Sequence, residues 1–252
     1  MQVSRRLVTA GIAFATLPIG LHSSPSEAKA RDPLVSASGG GPVPNDLLRQ
    51  TFHLARGRKS LVVPYGDSNE SKAIRSATPM LKHFGARNIQ VLSLNASKAA
   101  RQLDEADLVW FGGGLQTRHM QRLSTVPGLI NNLRQAHRAG TAMMGGSAGA
   151  AVMSKLMISG GSGGTAHTRS GLGFLHNIVI DQHVIARQRE WRLRQVIARN
   201  RSYIGVGIDE ATGVTIQNGK LRVYGKSRVI LTRWKSGSIS ETHLRNGKSV
   251  LL

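Results

Sequence analysis

A serine hydroxyl is a weak nucleophile until a base takes its proton and a third group orients that base. The stretch GTAMMGGSAGAAVMS, residues 140–154, sets one such hydroxyl, Ser147, between Gly146 and the pair Ala148-Gly149. An apolar run at 141–144 reads as the end of a buried strand, and a helical run starts at Ala148. This is the strand–turn–helix pattern that holds a nucleophile out of the backbone. A tight turn with an incidental serine is the plainer reading, so the base and the acid must be sought elsewhere. Of nine histidines, His183 stands apart, following the apolar run 178–180 and the pair Asp181-Gln182. The candidate acids are Asp181, Asp209 and Glu210, the last two in the acidic turn of YIGVGIDEATGVTI. A second glycine-rich turn lies in DLVWFGGGLQTRHM. The amide of Gly113 or Gly114, with that of Ala148, makes a two-donor oxyanion hole. A phosphate or dinucleotide site is the rival for such glycines, but neither G-x-G-x-x-G nor the P-loop pattern is present.

The elements that must position these residues alternate. Strand patterns fall at 60–64, 89–94, 107–111 and 141–144, and helical patterns at 69–85 and 126–140. Alternation of this kind predicts βαβ units, a mostly parallel sheet, and ligands beyond the carboxyl ends of its strands. Both glycine-rich turns fall at that edge. The segment 31–44, with SASGGGPVP, reads as a linker or as a first strand ending in a glycine turn. The last forty residues carry Asn218-Gly219 and Asn246-Gly247, both hairpin signals, and predict antiparallel strands on the same domain.

Composition narrows the chemistry. The absence of cysteine excludes disulfides, a thiolate nucleophile and cysteine-ligated zinc. At its start the chain has Arg5 and Arg6, an apolar run at 7–21, and small residues at Ala28 and Ala30. That is the pattern of a secretory signal cleaved after Ala30, and SRRLVTAG partly matches a twin-arginine signal. The expected organisation is a signal peptide at 1–30 and a single catalytic α/β domain at 31–252, with the mature chain secreted or periplasmic. Cleavage removes three basic residues and one acid, taking the formal charge from +21 to +19. Arginines cluster beyond His183, at 187, 189, 192, 194, 199 and 201. As one helix they place Arg187, Arg194 and Arg201 on a solvated stripe. Alternatively Arg187, Arg189 and Arg192 clamp substrate carboxylates through bidentate pairs. Nucleic-acid binding ranks last, because only 4% of residues are aromatic and no nucleic-acid motif accompanies the charge.

FGGGLQ, GGSAGAAVMS, GLGFLHNIVIDQHVIARQREWRL and GVGIDEATGVTI, in that order, resemble the cyanophycinases, and the match runs from about Ser36 to near the end. These are serine peptidases on a class I glutamine-amidotransferase-like, flavodoxin-like α/β fold. The resemblance implies Ser147 as nucleophile, His183 as base, Glu210 as orienting acid, and Gly114 and Ala148 as oxyanion amides. It places Gln116, Asp181, Gln182, Arg187, Arg189 and Arg192 along the substrate cleft, with Asp181 helping to seat a guanidinium. It implies no metal or cofactor, a homodimer, and as partner an acidic-backbone polymer, cyanophycin, cut into β-Asp-Arg dipeptides. Cyanophycin is a poly-aspartate bearing arginine on each β-carboxyl. The sequence departs from the family pattern at Leu115, usually Asp, and at Gly146, usually Thr. The alternatives are an α-aspartyl dipeptidase with the same triad and a non-catalytic basic binding protein on the same scaffold.

Overall fold

The computed structural model describes residues 33–252, so the expected signal segment lies outside the described residues. In chain order the elements are β1 (Val35–Ser38), α1 (Asn45–Ala55), β2 (Lys59–Val63), α2 (Glu70–His83), β3 (Asn88–Val91), α3 (Ala96–Glu105), β4 (Leu108–Phe111), α4 (Gln116–Ser124), α5 (Leu129–Arg138), β5 (Ala142–Gly146) and α6 (Ala148–Ala151). Then follow β6 (Leu156–Ser162), β7 (Thr165–Ser170), β8 (Ile178–Gln182), α7 (Glu190–Arg199), β9 (Ile204–Ile208), β10 (Thr212–Gln217), β11 (Lys220–Gly225), β12 (Arg228–Lys235), β13 (Ser238–Arg245) and β14 (Ser249–Leu251).

Short apolar runs without alternation suit strands buried on both faces. In β2, β4 and β5 successive side chains point to opposite faces and both faces are covered. Val63, Val109, Phe111 and Met143 join one core with α3, α5 and α6. Val62, Leu108, Trp110 and Met144 join the other with α1 and α2. The result is an eight-stranded sheet, ordered β14-β11-β10-β1-β5-β4-β2-β3, between helical layers. Its strands β1, β5, β4, β2 and β3 run parallel. The C-terminal strands β10, β11 and β14 extend it antiparallel from β1. This is the flavodoxin-like α/β architecture expected. A second sheet, β13-β12-β9-β8, packs β8 parallel to β9, and β6 and β7 form a separate pair.

Several local expectations change. Of the two readings of 31–44, the strand holds: β1 lies in the middle of the large sheet. Helices α3 and α4 carried little periodic signal. Helix α3 buries only Ala99 and Leu103, and α4 turns the polar Gln116 and His119 inward with Leu123. Asn218-Gly219 makes the expected hairpin, between β10 and β11. Asn246-Gly247 does not, because β13 pairs with β12 while β14 pairs with β11. The β12–β13 hairpin turns instead at Ser236 and Gly237, both at positive φ. The arginine stripe also fails. Helix α7 spans only Glu190–Arg199, so Arg187 and Arg201 lie outside it.

Candidate active site

The end of β1 holds three distant segments together. The carbonyl of Ser38 accepts the amide of Ser147 at 2.9 Å, that of Gly39 accepts the amide of His183 at 2.8 Å, and that of Gly40 accepts the amide of Ala211 at 2.9 Å. Three consecutive carbonyls thus fix the backbones of the serine, the histidine and the residue after Glu210. Gly40 must be glycine, since a Cβ there would lie 2.0 Å from His183 Cε1. The sequence signal for this bracket was the SGGG run, which composition alone left undecided between linker and turn.

Ser147 sits between β5 and α6 with φ 54° and ψ −117°, a strained conformation for a side chain with a Cβ. The turn is so tight that a Cβ on Gly149 would meet the Phe111 carbonyl oxygen at 2.1 Å. Ser147 Oγ lies 2.8 Å from His183 Nε2, and His183 Nδ1 lies 2.5 Å from Glu210 Oε1. With the proton on Nδ1, the imidazole donates to the carboxylate and accepts from the hydroxyl. Asp209, the neighbouring candidate acid, has another task. Its Oδ1 accepts the amides of Ile185 and Ala186 and its Oδ2 accepts the Ser227 hydroxyl, which fixes the loop after His183. Burial pushes the Asp209 carboxyl up, but the hydrogen bonds from Ala186 and Ser227 outweigh it and hold the group below the usual carboxylate range.

The Gly112–Gly114 turn after β4 lies against the nucleophile. A Cβ placed on Gly113 would be 3.9 Å from Ser147 Cβ. Among the described residues no intramolecular acceptor takes the amides of Gly114 or Ala148. Helix α6 is a single turn, shorter than the run from Ala148 suggested, so it offers its first amides rather than a long dipole. His119 supports the turn from beneath, its Nε2 donating to the Gly112 carbonyl at 2.8 Å. Burial drives its pKa down to about 4, so it is neutral. The sequence reading overlooked His119, whose only signal was its place in an otherwise polar helix.

The residues expected along the cleft are mostly bonded to one another. Arg192 Nε donates to Asp181 Oδ2 at 2.6 Å and its Nη2 donates to Oδ1. Arg192 is 5% exposed and Asp181 1%. This corrects two expectations: Arg192 is not open to substrate carboxylates, and Asp181 holds the chain's own guanidinium. Arg189 Nη1 donates to Gln182 Oε1 at 2.8 Å, and Gln116 Nε2 donates to the Ile158 carbonyl at 3.0 Å. Arg187 remains half-exposed, its Nε 4.0 Å from Glu210 Oε1. Farther along, Arg194 pairs with Glu241, and Arg201 stacks over Trp234. Leu115, 57% exposed, follows the oxyanion turn at the rim. No cluster of three or more metal-ligating side chains occurs among the described residues.

Burial is the largest influence on His183 and lowers its pKa; the Glu210 hydrogen bond opposes it, Arg187 adds to it, and the imidazole stays below its usual value. The base form therefore persists at neutral pH, and the acid limb of kcat/KM falls below pH about 6.5. Replacing Arg187 by Gln removes a cation that favours the neutral ring. The acid limb of the variant is expected to move to higher pH. A pH–rate profile checks this, and an unmoved or lowered limb would show that Arg187 does not act on His183.

A serine, an imidazole and a carboxylate in series at the carboxyl ends of a mostly parallel sheet define a serine hydrolase. The model for peptidase family S51 matches residues 37–224, and the chain belongs to that family, the serine-type peptidases whose fold it has. It is 31% identical over 202 residues to a cyanophycinase of Trichormus variabilis, covering 74% of this chain and 67% of that one. A cyanophycinase of Geminocystis herdmanii is 29% identical, with 74% of each chain covered. Among solved structures, a peptidase from an acI-B1 Actinobacterium superposes with a TM-score of 0.68 at 18% identity, covering 88% of this chain and 98% of that one.

Proposed function

We propose that the chain is an exported serine exopeptidase that degrades cyanophycin to β-Asp-Arg dipeptides. The observation that carries the reading is the 2.8 Å and 2.5 Å hydrogen-bond series from Ser147 through His183 to Glu210. The relatives named cyanophycinases support the substrate. Ser147 Oγ attacks the scissile carbonyl as His183 Nε2 takes its proton. The oxyanion that forms faces the amides of Gly114 and Ala148. Collapse expels the amine, which receives the proton from His183, and leaves an acyl ester on Ser147. Water, deprotonated by the same imidazole, hydrolyses the ester and restores the hydroxyl. Glu210 keeps the ring in the tautomer that accepts from Ser147 and stabilises it when protonated. Export rests on the pattern of residues 1–30.

Purified protein is expected to cut cyanophycin, with β-Asp-Arg as the product identified by mass, and the mature chain isolated from its producing cells is expected to begin near Arg31. An uncut polymer, or free arginine as the only product, would reject the substrate reading. A mature chain still carrying Met1 would reject export.

A further inference from the structure

A cavity of about 470 Å³ opens beside Ser147. None of the arginines after His183 lines it. It lies between the turns at Gly40 and Gly112, with α2 as one wall. Val43, Met80 and Trp110 make its apolar surface, and Asp67 and Lys72 bring it one carboxylate and one ammonium. Neither Asp67 nor Lys72 enters an ion pair among the described residues. Asp67 uses one oxygen, Oδ1, to accept the amide of Asn69 at 2.9 Å. Asp181, the acid expected to seat a substrate guanidinium, is closed off by Arg192.

We propose that this cavity is the subsite for the arginine branch carried by an aspartate next to the scissile bond. The inference rests on the cyanophycin reading above and adds its recognition residues. An arginine acylated through its α-nitrogen keeps a free α-carboxylate and a guanidinium, joined by an aliphatic stem. The cavity presents the complement of each: Lys72 for the carboxylate, Asp67 for the guanidinium, and Val43, Met80 and Trp110 for the methylenes. Opposite charges that are separated in the wall, and unpaired with each other, suit a ligand with two separated charges better than a neutral side chain. An apolar side chain would bury both ions without a partner.

Nα-acetyl-L-arginine carries the same three groups and need not be cleaved to report binding. Its affinity for the wild-type chain, measured by calorimetry, is compared with that of Nα-acetyl-L-citrulline, the uncharged isostere, and of Nα-acetyl-L-arginine amide, which lacks the carboxylate. Wild type is expected to prefer acetyl-arginine to acetyl-citrulline by about tenfold or more, as for other charge-assisted pairs. Asp67→Asn keeps the acceptor for Asn69 and so the turn; it is expected to abolish that preference. Lys72→Gln is expected to abolish the preference for the acid over the amide while leaving the citrulline comparison intact. No binding by wild type, or preferences unchanged in the variants, would overturn the subsite. Wild type that shows these preferences yet leaves cyanophycin uncut would overturn the substrate reading alone.

Discussion

Ser147→Ala is expected to lower kcat by about 10⁴- to 10⁶-fold while leaving the fold intact. The substitution removes one oxygen and nothing that supports the turn. Alanine has the same Cβ, so the backbone strain at φ 54° is unchanged. The amide still reaches the Ser38 carbonyl, and the Ser147 carbonyl still accepts the amides of Ala150 and Ala151. Stability should stay within about 0.5 kcal/mol of wild type, as for substitutions that touch no packing or buried pair. Circular dichroism and urea melts check the fold, and single-turnover assays check the chemistry. Residual activity within a few-fold of wild type, in a variant with an unchanged spectrum, would place the nucleophile elsewhere.

Asp181→Asn is expected to destabilise the chain by about 3–5 kcal/mol, because it leaves the Arg192 guanidinium buried without its counter-charge. The pair joins α7 to β8 two residues before His183 and is nearly closed to solvent. Arg192→Met removes the other partner and should destabilise to a similar degree by stranding the carboxylate. The double variant Asp181→Leu, Arg192→Met replaces the pair with apolar groups of comparable bulk. It should recover most of the loss, since a well-packed apolar substitute for a buried ion pair is often neutral or better. Urea midpoints of the three variants and wild type measure the coupling. A double variant no more stable than either single one would show that the pair matters through geometry that hydrophobic packing does not replace. Full stability in Asp181→Asn would mean that the guanidinium finds another acceptor.

The parts of this protein that sequence alone determined are those set by local rules. The glycines around Ser147 and the apolar run before it specify an elbow, because only glycine tolerates backbone as close as that at Gly149 and only a buried strand needs an unbroken apolar run. The alternation of such runs with helical stretches specified the mostly parallel sheet. The family resemblance, carried by motifs in order, brought Ser147, His183 and Glu210 to one site, where the structure has them within hydrogen-bond reach. Polar pairing was not legible, because partners come from separate segments and leave no periodic trace. Adjacent carboxylates, Asp209 and Glu210, looked equivalent. Their directions at the end of β9 send one to the loop amides and the other to the imidazole. Arg192 looked like any cleft arginine until α7 folded it onto Asp181. Likewise Asn246-Gly247 encodes a turn, but which sheet receives β14 depends on the apolar faces that the rest of the chain has left open.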